Sequence, residues 1–294
     1  MTEEGTPARL RELCAKYDIR FNKQLGQNLL LDENINRIMV DAADLGPGDD
    51  VIEVGAGLGA LTNRLHPLAR RVLAIEIDRA FMPCLEERFG GCGNVVLFRG
   101  DVLNHTIEKL TRDHLPDWKR LKLVANLPYY VTTPLLFHFW EADPPMERMV
   151  VMVQEEVARR LTAAVNGPEY GALRLAAQCY GAVDIVHHVP RTCFRPAPKV
   201  DSCIVRLRRH ESPPYPDVDE KLLRRLVRAA FGKRRKTLRN ALARSPAVGL
   251  PANDILEALE AAGVDPGRRA QTLSLGEFAA VARALGAARE AGGS

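Results

Sequence analysis

A glycine-rich turn followed by an acidic residue is the first pattern in this sequence with the residue types needed to bind a ligand. The apolar run 51–54 leads into Gly55-Ala56-Gly57-Leu58-Gly59, and Glu76 follows 21 residues after Gly55, near the end of the next apolar run. Glycines let the chain approach a ligand closely, and a carboxylate at this distance can accept hydrogen bonds from both hydroxyls of a ribose. The pattern predicts a site for a nicotinamide dinucleotide or for S-adenosylmethionine, with a turn that binds nothing as the third alternative.

Two further apolar runs also end in polar side chains. Asp101 follows the third run, where its carboxylate could accept from the exocyclic amine of an adenine or cap the next helix. The fourth run ends in Asn126-Leu127-Pro128-Tyr129, which fits the pattern Asn/Asp-x-Pro-Tyr/Phe of methyltransferases that act on planar exocyclic amines. This tetrapeptide favours S-adenosylmethionine, because a nicotinamide enzyme has no need of it.

The chemistry of such an amine explains these residue types. The lone pair on adenine N6 is delocalised into the ring, so the amine is a poor nucleophile until it begins to pyramidalise. The side-chain oxygen of Asn126 and the carbonyl of Pro128 could accept its two hydrogens and favour the tetrahedral transition state. Pro128 also fixes φ and holds that carbonyl rigidly, while Tyr129 and Phe194 offer two faces for stacking of an extruded base.

Short β-branched apolar runs must position these groups. Such runs alternate with segments of helical period, which is typical of buried parallel strands joined by crossover helices. The runs are 51–54, 72–77, 95–98, 121–125 and 149–153, with crossover segments at 79–89 and 132–141. We predict a doubly wound, Rossmann-like α/β sheet that binds its ligands beyond the carboxyl ends of the strands.

The pattern changes after about residue 180. Residues 182–190 and 200–209 alternate over a few positions and favour antiparallel strands at a sheet edge, and the Pro-rich segment 211–219 favours a linker. Segments of helical period follow at 220–231, 233–244, 252–262 and 274–288. We therefore predict a catalytic domain in residues 1–210 and a small all-helical domain in residues 211–294.

Ten basic residues and no acidic residue lie between Lys221 and Arg244. In the first helical segment, Lys221, Arg224, Arg225 and Arg228 recur at helical spacing opposite an apolar stripe. A solvated charged face is the alternative, but the absence of any acid favours a surface that binds RNA phosphates without reading base sequence. The residues that we expect to bind RNA are Arg224, Arg228, Lys233, Arg234, Arg235, Lys236 and Arg239.

Composition excludes several classes of protein. The 294 residues carry 41 Lys+Arg and 37 Asp+Glu, so the remainder outside the basic segment has 31 basic and 37 acidic residues, a net charge of −6. With 46% hydrophobic residues and no apolar run near ~20 residues, we expect a globular, cytoplasmic protein that does not enter a membrane. Because no C-x-x-C pair occurs, we expect six reduced cysteines and no bound metal. We also expect the protein to be a monomer.

An ordered series of motifs resembles the ribosomal RNA adenine N6,N6-dimethyltransferases of the KsgA type over about residues 22–288. The similar segments are Gly26-Gln27-Asn28-Leu29-Leu30, the glycine motif 53–62, Glu76, Asp101, Asn126-Leu127-Pro128-Tyr129, Phe194-Arg195-Pro196-Ala197-Pro198-Lys199-Val200-Asp201-Ser202 and 228–240. The resemblance implies a class I methyltransferase that uses S-adenosylmethionine to dimethylate two adjacent adenines near the 3′ end of small-subunit ribosomal RNA. Its substrate would be an immature small ribosomal subunit.

The resemblance also implies roles for individual residues. The cofactor-binding set is Asn28, Leu30, Gly55, Gly57, Glu76, Ile77, Asp101, Val102 and Asn126. The catalytic set is Asn126, Pro128, Tyr129 and Phe194.

Three positions depart from the family pattern. Leu29 stands in place of the common Phe, Ala56 in place of Pro, and Tyr130 in place of the Asn that usually follows the catalytic motif. Tyr130 could reshape the acceptor pocket and alter how a monomethylated base is held for a second transfer.

Two rival functions stay open at this point. One is the related large-subunit adenine methylation that confers macrolide resistance, against which the intact 194–202 signature and the segment 232–240 argue. The other is a non-catalytic RNA-binding or ribosome-assembly factor that retains the fold, which the intact Glu76, Asp101 and Asn126 disfavour.

Overall fold

The chain folds into two compact units. The structure is a computed structural model that describes residues 7–22, 26–30, 32–232, 236–243, 245 and 251–292. The first unit comprises Met1–Ala158 and Asp184–Arg209, and the second comprises Arg159–Val183 and His210–Ser294. The second unit thus includes residues 159–183, which the predicted boundary at residue 210 assigned to the catalytic domain.

The first unit alternates strands and helices along most of its length. Its helices are α1 (Pro7–Lys16), α2 (Glu33–Ala43), α3 (Thr62–Leu65), α4 (Met82–Phe89), α5 (Ile107–His114) and α6 (Thr132–Trp140), with α7 (Glu155–Thr162) crossing into the second unit. Its strands are β1 (Leu29–Leu30), β2 (Asp49–Val54), β3 (Arg71–Glu76), β4 (Val95–Arg99), β5 (Arg120–Asn126), β6 (Arg148–Gln154), β7 (Gly181–Val189), β8 (Phe194–Arg195) and β9 (Ser202–Arg209).

Seven of these strands form one sheet in the order β4-β3-β2-β5-β6-β9-β7. The pairs β2–β3, β3–β4, β2–β5 and β5–β6 are parallel, and β9 pairs antiparallel with β6. The five predicted runs are therefore the five parallel strands, and the alternating segments near residue 180 and residue 200 supply β7 and β9. Because the parallel strands share a direction, the turns after β2, β3, β4 and β5 meet at one edge of the sheet.

Burial explains why these segments are strands. Every residue of β2 is buried, as expected of a central parallel strand covered on both faces. The core of this unit collects apolar side chains of the sheet, α2 and α4, including Met39, Val51 and Leu85. Asp32 caps α2 by accepting from the Asn34 backbone N–H at 2.9 Å, so the helix starts where the sequence supplies an acceptor.

The second unit is mainly helical. Its helices after α7 are α8 (Ala172–Tyr180), α9 (Glu220–Phe231), α10 (Leu238–Leu242), α11 (Ala252–Ala261) and α12 (Leu275–Gly292). It has its own hydrophobic core, to which Leu175 of α8, Leu226 of α9 and Phe278 of α12 contribute. Residues 159–183 belong here because the apolar face of α8 packs into this core. Among the helices that the structure describes, none is long and apolar enough to cross a membrane.

Candidate active site

The turn after β2 depends on glycines for its shape. Gly55, Gly57 and Gly59 all have positive φ, at 80°, 55° and 79°. A side chain at Gly59 would clash with the ring of Phe89, and a Cβ at Gly57 would lie 3.1 Å from Leu29 Cδ2. Backbone of this conformation is open to glycine at no steric cost, so the turn can lie close to the end of β3.

Glu76, at the end of β3, contacts that turn directly. Its Oε2 accepts from the Gly57 backbone N–H at 2.8 Å and its Oε1 from the Asp78 backbone N–H at 2.9 Å. Burial raises the pKa of this carboxyl above its ordinary value, while the backbone hydrogen bonds act in the opposite direction. The side chain is therefore oriented by fixed main-chain donors at the edge of the sheet.

A cavity of about 100 Å³ lies at this edge. Ten of the predicted site residues line it, namely Asn28, Gly55, Gly57, Glu76, Ile77, Asp101, Val102, Asn126, Pro128 and Tyr129. They come from the segment before β1 and from the ends of β2, β3, β4 and β5. Residues far apart in sequence thus form one pocket, as the parallel topology requires.

Asp101 forms the helix cap that was one of its two predicted alternatives, and its position also leaves the other alternative open. It caps the short 3₁₀ helix Val102–Asn104 by accepting from the Leu103 backbone N–H at 3.0 Å through Oδ1, and it lines the cavity. A carboxylate has acceptor sites for several hydrogen bonds, so the cap leaves capacity for a ligand donor.

The catalytic motif starts at the last residue of β5, Asn126, which lines the cavity. The Pro128 carbonyl, however, accepts from the Val131 backbone N–H at 3.2 Å and from Thr132 Oγ1 at 3.1 Å. Both lone pairs of that oxygen are used inside the chain. This corrects the prediction that the Pro128 carbonyl accepts from a substrate amine, although its φ of −59° fixes the turn as expected.

Two tyrosines follow in the same turn and differ in their surroundings. The Tyr129 hydroxyl lies 2.5 Å from Ser202 Oγ, and burial raises its pKa. Tyr130 lines the cavity but is 51% exposed, and burial together with the charges of Asp101 and Glu76 raises its pKa. The Tyr129 ring is thus partly buried, whereas the Tyr130 ring is exposed to solvent at the edge of the cavity.

Phe194 does not reach the cavity. It pairs with Leu30 in the β1–β8 ladder, is fully buried, and packs in the hydrophobic core of the first unit. Its predicted role as a second stacking face is therefore not available in this structure, because the apolar ring is covered by the core.

A second cavity of about 250 Å³ shares Leu29, Gly55, Gly57 and Asn126 with the first. It is lined by the predicted Leu30 and by Glu53, the first residue of the glycine motif 53–62, which the sequence did not predict as a site residue. Burial raises the pKa of Glu53 to about 8, and Thr62 Oγ1 donates to its Oε2 at 2.6 Å. An acidic residue inside a fully buried strand was the sequence signal for this group.

The predicted RNA-binding residues lie in the second unit, as far as they are described. On α9, Arg228 is exposed, whereas Arg224 forms an ion pair with Glu220 one turn earlier. Lys236 and Arg239 are exposed beside and within α10. Lys233, Arg234 and Arg235 lie outside the described residues.

In the part of the chain that the structure describes, no group of three or more His, Cys, Asp or Glu is arranged to hold a metal ion.

A parallel sheet with one antiparallel strand near its edge and a ligand pocket at the carboxyl ends defines a class I methyltransferase fold. Solved structures agree with this class. The chain is similar to a dimethyladenosine transferase from Plasmodium falciparum, with a TM-score of 0.68 and 28% identity over 86% of this chain and 95% of that one. It is also similar to the 23S rRNA methyltransferase ErmE, with a TM-score of 0.62 and 27% identity over 88% of this chain and 100% of that one.

Sequence comparison narrows the class to a family. The model of the ribosomal RNA adenine dimethylase family matches residues 19–286, and the chain belongs to that family. Proteins named ribosomal RNA small subunit methyltransferase A are 41% identical in Bacillus cytotoxicus, over 97% of this chain and 98% of that one, and 43% identical in Lysinibacillus sphaericus, over 96% of both. The resemblance inferred from the motifs is confirmed, and the chain is an enzyme of the methyltransferase class.

Proposed function

We propose that this protein uses S-adenosylmethionine to dimethylate N6 of two adjacent adenines near the 3′ end of small-subunit ribosomal RNA. The observation that carries the proposal is the single cavity lined by Glu76, Asp101, Asn126 and Tyr129. The relatives named small subunit methyltransferase A support the small subunit as substrate, since they are 41–43% identical to this chain against 27% for the large-subunit enzyme.

The residues of the cavity fit this cofactor. Glu76 is a buried carboxylate that accepts from backbone N–H groups, among them those of Gly57 and Asp78, and a free acceptor site of such a carboxylate suits the hydroxyls of a ribose. Asp101 suits the exocyclic amine of the cofactor's adenine, and Ile77 and Val102 supply apolar surface beside it. The bound cofactor supplies an electrophilic methyl group on a sulfonium.

The acceptor side follows from the motif after β5. Asn126 accepts one N6 hydrogen of the target adenine through its side-chain oxygen and so favours the pyramidal amine. Since the Pro128 carbonyl is occupied, we assign the second hydrogen to the carbonyl of Leu127, a residue that also lines the cavity. Tyr129 stacks on the extruded base and holds N6 about 3–3.5 Å from the methyl group, a placement that lowers the barrier without any covalent step on the protein.

Methyl transfer to immature small subunits tests this function. Labelled S-adenosylmethionine is incubated with small subunits that lack the modification, and the RNA is digested to nucleosides. We expect label in N6,N6-dimethyladenosine of the small-subunit RNA. Label only in large-subunit RNA would support the macrolide-resistance type of reaction, and no label would support a non-catalytic role.

The basic residues of the second unit have a separate test. Replacing both Lys236 and Arg239 with Ala should flatten the salt dependence of RNA binding by about two in the slope of log K against log salt concentration, since each phosphate contact contributes about one. The matched control replaces both Lys109 and Arg112 with Ala, which removes the same charge from exposed positions of α5 in the first unit and should leave the slope unchanged. Equal slopes for wild type and the double variant of Lys236 and Arg239 would make these two residues an ordinary solvated face.

A further inference from the structure

Ser202 and Tyr129 form a hydrogen bond that the proposed chemistry does not use directly. The Tyr129 hydroxyl and Ser202 Oγ lie 2.5 Å apart, although the two residues are 73 positions apart in the sequence. Ser202 is fully buried, and Tyr129 lines the cavity. A buried serine hydroxyl needs a partner, and the partner of this one is a tyrosine that lines the cavity.

Strand pairing and backbone hydrogen bonds fix the position of the Ser202 backbone. Ser202 opens β9 and pairs with Gln154 of β6, while β6 pairs with β5 at Met152 and Asn126. The preceding residue, Asp201, accepts from the Arg191 backbone N–H at 2.9 Å, and its carbonyl accepts from the Glu155 backbone N–H at 3.0 Å. The backbone of Ser202 is therefore fixed relative to the strand that carries Asn126.

Tyr129 needs such a partner because its own backbone does not fix its ring. It lies in a short 3₁₀ turn after Pro128, and a tyrosine side chain is free to turn about two torsions. A hydrogen bond at the hydroxyl holds the far end of the ring and so determines the plane that it presents to the cavity. Tyr130, one residue later and 51% exposed, shows how differently a ring in this turn can lie.

We propose that Ser202 is a positioning residue for methyl transfer, which holds the Tyr129 ring in the plane on which the target adenine stacks. This inference rests on the proposed function, because the base that the Tyr129 ring would align is the target adenine whose amine Asn126 contacts. It also gives a chemical reason for a serine at the end of the 194–202 signature. Buried tyrosine hydroxyls stay protonated at neutral pH, so either atom can donate in the pair.

A double-mutant cycle tests the proposal with the full-length protein and immature small subunits. Ser202→Ala and Tyr129→Phe should each lower kcat/KM about 3- to 10-fold, the loss expected for one hydrogen bond. The double variant should be no worse than either single variant by more than about twofold, since both remove the same bond. Ser202→Thr should restore most of the activity, and Ser212→Ala, at an exposed position outside the site, is the matched control.

Two further measurements separate positioning from folding. The Kd for S-adenosylmethionine should stay within about twofold of wild type in every variant, because the cofactor side is not touched. In protein labelled with 3-fluorotyrosine, the ¹⁹F resonance of Tyr129, assigned by its loss in Tyr129→Phe, should be a single line in wild type. In Ser202→Ala it should broaden or split as the ring gains freedom.

The outcomes distinguish this inference from the proposed function. An active wild type with a fully active Ser202→Ala variant, or with multiplicative losses in the double variant, overturns the positioning role alone. A wild type that leaves small-subunit RNA unlabelled overturns the proposed function, and the role of Ser202 in aligning the adenine falls with it. A Ser202→Ala variant that also loses cofactor binding assigns Ser202 to folding, in which case Ser202→Thr shows the same cofactor loss.

Discussion

Carboxylates are buried at both ends of strand β2, but their partners differ between the two ends. At the amino end, Asp49 lies 2.9 Å from Lys122 Nζ, and Asp50 lies 2.6 Å from Arg70 Nη2 and 2.9 Å from Arg71 Nε. At the carboxyl end, Glu53 accepts from the Thr62 hydroxyl, and Glu76 of the next strand accepts from backbone N–H groups. One end neutralises its charges, and the other orients its carboxylates with uncharged donors.

This difference separates a structural region from a functional one. A buried charge is tolerated when an opposite charge and hydrogen bonds compensate for its lost hydration. At the carboxyl end, no ion pair of Glu53 or Glu76 occurs among the described residues, and burial raises the pKa of Glu53 to about 8 and raises the pKa of Glu76, so this end of the sheet carries an electrostatic cost. Perturbed carboxyls of this kind concentrate at binding sites, where a ligand supplies the missing interactions.

The largest effect should follow from breaking the amino-end network. Lys122 is buried, and its ammonium contacts Asp49 and the carbonyls of Ala43 and Asp44. Lys122→Met should lower the free energy of unfolding by about 3–5 kcal/mol, because Asp49 keeps only the half-exposed Arg120 as its cation, 2.8 Å away, and two backbone carbonyls lose their donor. Denaturant unfolding measures this, with the exposed Lys119→Met as control. A loss no greater than that of the control would mean that the amino end is not a stabilising region.

At the carboxyl end, Asn126→Ala should change catalysis and not stability. Loss of one transition-state hydrogen-bond partner should lower kcat by about 10²- to 10³-fold, while the free energy of unfolding stays near wild type. Single-turnover methyl transfer at saturating S-adenosylmethionine and denaturant unfolding measure the two quantities. Near wild-type turnover would remove Asn126 from its role as acceptor.

Glu76→Gln should weaken cofactor binding about 10- to 100-fold, because hydrogen bonds from the ribose hydroxyls to a charged group are replaced by weaker ones. The free energy of unfolding should fall by no more than about 1–3 kcal/mol, because the amide is buried at less cost than a carboxylate but its NH2 replaces one of the two oxygens that accept from backbone N–H groups. Calorimetry and denaturant unfolding of the same samples test both statements. A strongly destabilised variant would show that Glu76 belongs with Asp49 and Asp50 as a structural carboxylate.

The smallest effect should be a pH dependence of stability due to Glu53. A carboxyl with a pKa near 8 in the folded state and about 4.5 in the unfolded state binds more protons when folded, so stability falls as pH rises between these values. Its contribution to the slope is at most about 1.4 kcal/mol per pH unit. Unfolding at pH 6 and pH 8 should show a steeper decline for wild type than for Glu53→Gln. Parallel declines would mean that Glu53 is charged in the folded protein.

Much of the carboxyl end could be predicted from the sequence because its signals are local. The sequence shows directly the glycines at the end of one strand, the acid near the end of the next strand, and the polar tetrapeptide at the end of another strand. Because these strands are parallel, the three features are expected to meet at one edge of the sheet. Ten predicted site residues line one cavity for that reason. The side-chain partners were not predictable in the same way. The occupied Pro128 carbonyl and the buried Phe194 depend on how a turn and a two-stranded ladder pack.

The sequence by itself determined the parallel strands, the ligand edge of the sheet and the family, because hydrophobic period and short motifs depend on neighbouring residues. Only the tertiary structure decided which carboxylates have cations, which residues complete each core, and that Ser202 meets Tyr129 across 73 positions. Such contacts depend on strand register and on the packing of distant segments. A sequence pattern of period two or 3.6 shows which face of an element is buried, and it does not identify the partner on the other side.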